Sequence, residues 1–413
     1  MRLIHGKWQH TFLNLHLVTL SWSAVARFND WTPLPLLFLC LAVFSIVIRI
    51  LLDVGFARPV SVRTSKVDCL IVVAFFLMCL NVLYNPTAKG GNYLLAYGVV
   101  FGMYLCCLAM GLRNISTNEL LKYNYYGVNF ICLFVILEVL GRSALGFDVF
   151  EWIPRSKEAT ATVAVGFFRG YGFSTEPTQV GNYFACFVPY AIFYRSNIAR
   201  KGSRIYSIFL VLAATMTFSA ALALVAFCGV LIYFVFTNKK LSMIKSLLFL
   251  GIILVILFSL SIYTMGIGDI LYEAYDKVSS KLLLTSDGTS VGQRMIALET
   301  GIATIQNYPL FGIGLGYLSS LGQDSSINWY IFLGSEAGLI ILGFFVFWFA
   351  FHLINAVLNY SRTRKEIFLW AAVSIFCGMA YLMFISTFQN MFLLTSILLY
   401  RVIQKNLTFS QGR

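Results

Sequence analysis

Long apolar runs alternate with short polar breaks along the whole chain. The runs fall near residues 11–27, 34–52, 67–84, 92–110, 123–140, 173–194, 205–218, 219–236, 246–265, 328–352, 367–386 and 389–403. A hydrocarbon core about 30 Å thick needs about 20 apolar residues per helix, so the pattern predicts about 12 transmembrane helices. The first run is the weakest, because Asn14, His16 and several Ser and Thr interrupt it. Ala24-Val25-Ala26, with Arg2 and Lys7 upstream, also resembles a signal-peptidase site; an uncleaved first helix is the reading adopted. The stretch 205–236 predicts two short helices with a tight turn near Ser219.

Composition agrees with that pattern. Of the 413 residues, 59% are apolar and 11% charged, and the mean hydropathy is +0.81. A soluble domain is nearer half apolar and a quarter charged. A soluble enzyme, a disordered chain and a nucleic-acid-binding domain are therefore poor descriptions. The nine cysteines lie in or at the ends of apolar runs and read as small buried hydrophobes. The four histidines have no metal-ligand spacing.

The net charge of +13 changes the picture only through its distribution. With the N-terminus inside and the spans alternating, 21 of the 30 lysines and arginines fall on inside segments and nine on outside ones. This is the positive-inside bias of a membrane protein, and it needs no nucleic-acid partner. Inside loops are short, whereas two outside segments, 141–172 and 266–327, are long. Recognition or chemistry is therefore expected on the outer face. Glu138, near the outer end of its helix, has Arg142 four residues on and reads as a snorkelling salt pair.

Four outer features carry candidate chemistry. In the longer loop, Val291, Met295, Leu298, Ile302 and Ile305 repeat at helical spacing and predict an amphipathic helix lying in the interface plane, with Arg294 on its flank. In RGYGFSTEP, 169–177, Pro177 predicts the first helical position with Glu176 at the N-cap. Gly170 and Gly172 let Arg169 fold back toward that helix start. The result is either a diphosphate clamp beside a carboxylate or an Arg169–Glu176 pair that closes the loop. After Asn307-Tyr308-Pro309, the glycines at 312, 314 and 316 predict a compact turn; with no strand and no Walker lysine it is not a nucleotide site. In INWYIFLGSEAGLIILG, 327–343, Asn328 and Trp329 are expected at the outer mouth of a helix. Trp329 and Tyr330 read as interface-belt aromatics that could also stack on sugars, with Glu336 two turns in and facing the interior.

Taken in order, the outer Arg169 with its Gly-rich turn and Glu-Pro, the turn TFSAALAL at 217–224, the Arg294 helix ending in NxPxxGxGxG, and the Asn328 helix with Glu-x-Gly resemble the O-antigen polymerase and ligase superfamily of bacterial envelope glycosyltransferases. The resemblance covers roughly 165–345. It implies an all-α, GT-C-like polytopic helical bundle in the inner membrane, one integral domain over 1–413 with cytoplasmic termini and an active site facing the periplasm. It implies undecaprenyl-diphosphate-linked glycan donor and acceptor, membrane lipid, no metal, no cofactor, no nucleic acid, and a chain-length regulator protein as partner. Carried over by position, Arg169 and Arg294 bind the lipid diphosphate, and their charge stabilises the leaving oxygens. Gly172, Tyr317, Asn328 and Trp329 complete the substrate contacts. Glu176, Asp324 and Glu336, in that order, are the candidate bases for the attacking hydroxyl.

Family members that act as ligases carry a histidine beside the Asn that opens this last helix; here the position is Ile327. That departure favours a polymerase over an O-antigen ligase. A lipid-linked glycan flippase or transporter would need charges or broken helices at mid-membrane and a repeat between halves, and neither is seen. A membrane protein without catalysis is the remaining alternative.

Overall fold

The computed structural model describes residues 2–24, 33–56, 65–111, 115–148, 163–164, 167–198, 204–237, 290–320, 328–385 and 391–409. The described helices are α1 (Arg2–Thr19), α2 (Leu34–Gly55), α3 (Asp68–Tyr84), α4 (Gly90–Cys106), α5 (Thr117–Leu140), α6 (Pro177–Phe193), α7 (Arg204–Thr215), α8 (Ala220–Thr237), α9 (Ser290–Asn307), α10 (Tyr317–Ser320), α11 (Trp329–Ala337), α12 (Leu339–Thr363), α13 (Glu366–Tyr381) and α14 (Met391–Phe409). Single π-helical turns extend α4, α5 and α6. The only strands among the described residues are β1 (Val163–Ala164) and β2 (Phe167–Phe168), a two-residue antiparallel ladder. The fold is that of a polytopic helical membrane protein. Among the described residues, four segments are long and apolar enough to cross a bilayer: Leu34–Gly55, Gly90–Ala109, Thr117–Leu145 and Leu339–Thr363.

Most of the expected runs coincide with one helix each. The run 205–236 divides into α7 and α8 as predicted, with the turn at Thr217–Ser219. The run 246–265 lies outside the described residues. The run 328–352 is a correction. It is not one helix: Gly338, at φ +90°, breaks it into α11 and α12. The two form an antiparallel hairpin. The Trp329 ring lies 6.0 Å from Phe345 and 5.9 Å from Phe349, centroid to centroid. In a continuous helix, residues 329 and 345 would be about 24 Å apart.

Polar side chains fix the helix order where apolar packing alone would leave it loose. His16, near the C-terminal end of α1, reaches the Pro35 carbonyl at 2.8 Å and the Thr395 hydroxyl at 3.2 Å, near the start of α14. So α1 and α14 run antiparallel, and Arg2 and Phe409 lie at the same end of the bundle. Toward that end, Asp68 of α3 accepts from both terminal nitrogens of Arg401 on α14 at 3.4 Å and from the Trp348 indole of α12 at 3.2 Å.

The opposite end is stepped. Helices α12 and α13 start level at their short connection, but one has 25 residues and the other 16. At 1.5 Å per residue their far ends differ by about 13 Å. The lower step holds the C-terminus of α13, the N-terminus of α11 and the α7–α8 turn. The upper step holds the Gly338 bend, the end of α3 and the start of α4.

Helix α9 forms over Ser290–Asn307, the stretch whose apolar spacing predicts a helix. It packs on α11, with Ala297, Gly301 and Thr304 buried on a small-residue face roughly 110° around the helix from the apolar stripe, and with Ile305 of the stripe against Gly334 of α11. A Cβ at Gly301 would lie 2.6 Å from Ile331 Cγ2. Ile302, on the stripe, stays 42% exposed.

Candidate functional site

The segment 169–177 forms as its residues predict. Pro177 opens α6, and Glu176 is its N-cap residue with extended backbone. Gly172 is left-handed at φ +54°, and a Cβ at Gly170 would lie 2.6 Å from Val135 Cγ1, so both glycines let the turn press against α5. Trp22 stacks on Phe173 at 4.8 Å, and the Ala24 amide donates to the Phe173 carbonyl at 2.9 Å, which ties the turn to the end of α1.

Glu138 is a second correction. It does not snorkel. It is fully buried, and one carboxylate oxygen accepts from the Tyr171 and Gly172 amides at 2.8 and 2.9 Å. Arg142 lies 3.7 Å from its other oxygen and also holds Asp148. A buried carboxylate is stable when charge-assisted bonds and a cation surround it. These two turn amides are therefore occupied by Glu138. Glu138 shares a face of α5 with Val135 and Val139, one helical turn of spacing that the sequence does contain.

Arg169 is half-buried. Its Nε donates to the Thr217 carbonyl and a terminal nitrogen to the Phe218 carbonyl, both at 3.2 Å. The Gly170 amide donates to the Met216 carbonyl at 2.9 Å. The guanidinium thus rests on the α7–α8 turn. Glu176 is exposed and accepts from the Thr178 hydroxyl at 3.0 Å.

The turn at 312–316 also closes as predicted, with Gly312, Gly314 and Gly316 at φ +64°, +122° and +77°. Its clamp combines Asn81 and Lys89, which no motif marks, with Glu336. Asn81, buried on α3, donates to the Phe311 carbonyl and accepts from the Leu315 amide at 3.1 Å. Lys89 donates to the Ser319 hydroxyl at 2.7 Å and carbonyl at 3.0 Å. Glu336 accepts from the Gly316 and Leu318 amides at 2.9 and 3.0 Å. It faces the interior as expected, but at the upper end of α11, where it holds the turn as Glu138 holds the other one.

The start of α11 lies on the lower step. Asn328 caps it, its side-chain oxygen accepting from the Tyr330 and Ile331 amides at 3.0 and 3.3 Å. Trp329 is 2% exposed and packed inside the hairpin, so it is not an interface-belt residue. Its amide donates to the Leu382 carbonyl at 2.9 Å, and the Tyr330 hydroxyl donates to the Met379 carbonyl at 2.8 Å. Tyr381 reaches the Ser219 hydroxyl at 3.0 Å. The end of α13 thereby joins the α7–α8 turn under Arg169 to the Asn328 cap. Tyr317, half-buried, opens α10 on the upper step. Asp324 and the side chain of Arg294 lie outside the described residues; the backbone of Arg294 is in α9, one turn before Ala297 and Leu298.

Replacing Glu336 by Ala leaves two buried amides without an acceptor, at about 1–3 kcal/mol each. The expected result is a melting temperature several degrees lower in detergent, with faster proteolysis between Gly312 and Ser320. An unchanged melting curve and cleavage pattern would remove Glu336 from the support of this turn.

No curated protein matches the chain. Residues 205–332 match the family model described as O-antigen ligase. The matched stretch takes in the Thr217–Ser219 turn, Arg294, Tyr317, Asp324, Asn328 and Trp329, and leaves out Arg169, Gly172, Glu176 and Glu336. The match, on a helical membrane fold, supports membership of the O-antigen polymerase and ligase superfamily.

Proposed function

We propose that the chain polymerises undecaprenyl-diphosphate-linked oligosaccharide repeat units at the periplasmic face of a bacterial inner membrane. The stepped end faces outward, as the placement of basic residues along the sequence requires. A sugar hydroxyl of the incoming lipid-linked repeat attacks C1 of the growing glycan. The C1–oxygen bond to the diphosphate breaks, and undecaprenyl diphosphate leaves with the negative charge. Arg169 and Arg294 stabilise that charge. The proton of the attacking hydroxyl passes to a carboxylate, with Glu176 first in order because it is exposed at the start of α6 while Glu336 is buried in a turn. Asp324 is the other carboxylate to test. Gly172, Tyr317, Asn328 and Trp329 shape the substrate site.

One observation carries this reading. Arg169, outside the matched stretch, rests on Thr217 and Phe218 inside it, and α13 joins that turn to Asn328. The second reading is an O-antigen ligase, which the description of the matching family favours and Ile327 opposes. A deletion strain separates them. Single capped repeats on the lipopolysaccharide are expected for a polymerase. Long chains stranded on the lipid carrier would mean a ligase instead, and an unaltered glycan profile would refute both.

A further inference from the structure

Helix α13 lies outside the matched family stretch and outside every motif discussed above, yet its C-terminal end makes the bonds that span the lower step. Within four residues, the Met379 carbonyl accepts from the Tyr330 hydroxyl, the Tyr381 hydroxyl pairs with Ser219, and the Leu382 carbonyl accepts from the Trp329 amide. The first and third fix the start of α11. The second fixes the turn beneath Arg169. Resting on the transfer site assigned above, we propose that Tyr381 is a positioning residue for Arg169: through Ser219 it holds the Thr217–Phe218–Ser219 turn in register with the Asn328 cap.

Three observations bear on it. Phe218 is left-handed at φ +46°, an unusual conformation for a bulky residue that persists only where neighbours over-determine it. Arg169 on the carbonyls of Thr217 and Phe218, Gly170 on Met216 and Tyr381 on Ser219 are among those neighbours, and Tyr381 approaches from α13 while Arg169 and Gly170 approach from the turn before α6. Room for the phenol is made on purpose: Tyr381 is fully buried, and a Cβ at Gly181 of α6 would collide with its hydroxyl. Finally, the Tyr381 hydroxyl lies 3.0 Å from that of Ser219, the residue next to the Phe218 carbonyl that accepts from Arg169 at 3.2 Å.

The effect follows from where charge develops. A guanidinium displaced by a fraction of an ångström still binds the ground-state diphosphate but no longer meets the leaving oxygens as they gain charge. The loss should therefore fall on kcat rather than on KM.

The test uses the full chain in lipid nanodiscs, with a synthetic undecaprenyl-diphosphate-linked repeat unit as donor and acceptor. Tyr381→Phe keeps the ring and removes only the hydroxyl. It should lower kcat by about 10- to 100-fold with KM little changed. Amide exchange should quicken at 169–172 and 216–219 and stay as it was at 329–331, whose bond to Leu382 is main-chain. Ser219→Ala should act alike, the double variant should be no worse than the poorer single, and Ser219→Thr should restore activity. Exchange unchanged at 169–172 in Tyr381→Phe, or single effects that simply multiply, would overturn the proposal. If the unmodified protein transfers no glycan, the transfer-site assignment fails, and exchange at 169–172 alone decides whether Tyr381 holds the turn.

Discussion

Arg169→Ala is expected to abolish long glycan chains, leaving single repeats in cells that still hold the protein at its usual level. Two effects add. The guanidinium, together with the Gly170 amide, links the 169–177 turn to the α7–α8 turn, through two carbonyls of its own. In the proposed mechanism it is also a fixed cation where the leaving diphosphate gains charge. Removing one preorganised donor of that kind costs about 10²–10³ in rate. Arg169→Lys separates the two. Lysine keeps the charge but is a point donor without the planar fork, so it cannot bridge both carbonyls and a phosphate. It should recover only a small part of the activity. The check is a glycan ladder from a deletion strain carrying each variant, with the protein level measured alongside. Ladders of normal length from the Ala variant would remove Arg169 from the mechanism.

Gly338→Ala is expected to lose the folded protein almost entirely. At φ +90° any side chain is strained, and here a Cβ would also enter the backbone of Leu310 and Phe311. Neither can yield easily. Bonds across the hairpin bend run from the Leu339 amide to Pro309, from Ile313 to Ser335 and from Gly314 to Glu336, at 2.8, 3.0 and 2.9 Å. A backbone overlap of this kind costs about 3 kcal/mol or more, a large share of a typical stability. Gly343, five residues on in α12, has nothing within 4 Å of its Cβ position. Gly343→Ala should therefore be neutral or stabilise by about 0.5–1 kcal/mol, since it improves a helix interior. Membrane abundance and melting temperature of the two variants give the comparison. Equal behaviour would mean that the hairpin is not built around residue 338.

Local features were legible because local rules produce them. Pro177 at the first helical position, the tight turn at Ser219 and the closure of 312–316 by glycines at positive φ all follow from backbone restrictions of single residues. The hairpin at Gly338 was hidden for the opposite reason. Residues 328–352 are uniformly apolar, and apolarity fits a straight span and a folded-back pair equally well. Glycine at 338 is also common enough in membrane helices to carry little signal. Glu138 misled because Arg142 four residues away is the ordinary pattern of an exposed pair, and nothing local shows that the amides of Tyr171 and Gly172 arrive from 33 and 34 positions on.

The sequence by itself determined that the chain is a helical membrane protein, which end of it is rich in cations, and where the turns at 169–177, 217–219 and 312–316 close. Each of these depends on hydrophobicity, charge or backbone freedom read over one to twenty residues. Tertiary structure decided the rest: that two helix ends stop short of their neighbours, that buried Glu138 and Glu336 each hold a glycine-rich turn, and that α13 brings Arg169 and Asn328 to one step. Those arrangements rest on bonds between residues far apart in the chain. Their partners are chosen by packing in three dimensions, and ordinary residues such as Asn81, Ser219 and Tyr381 carry no mark of it in one.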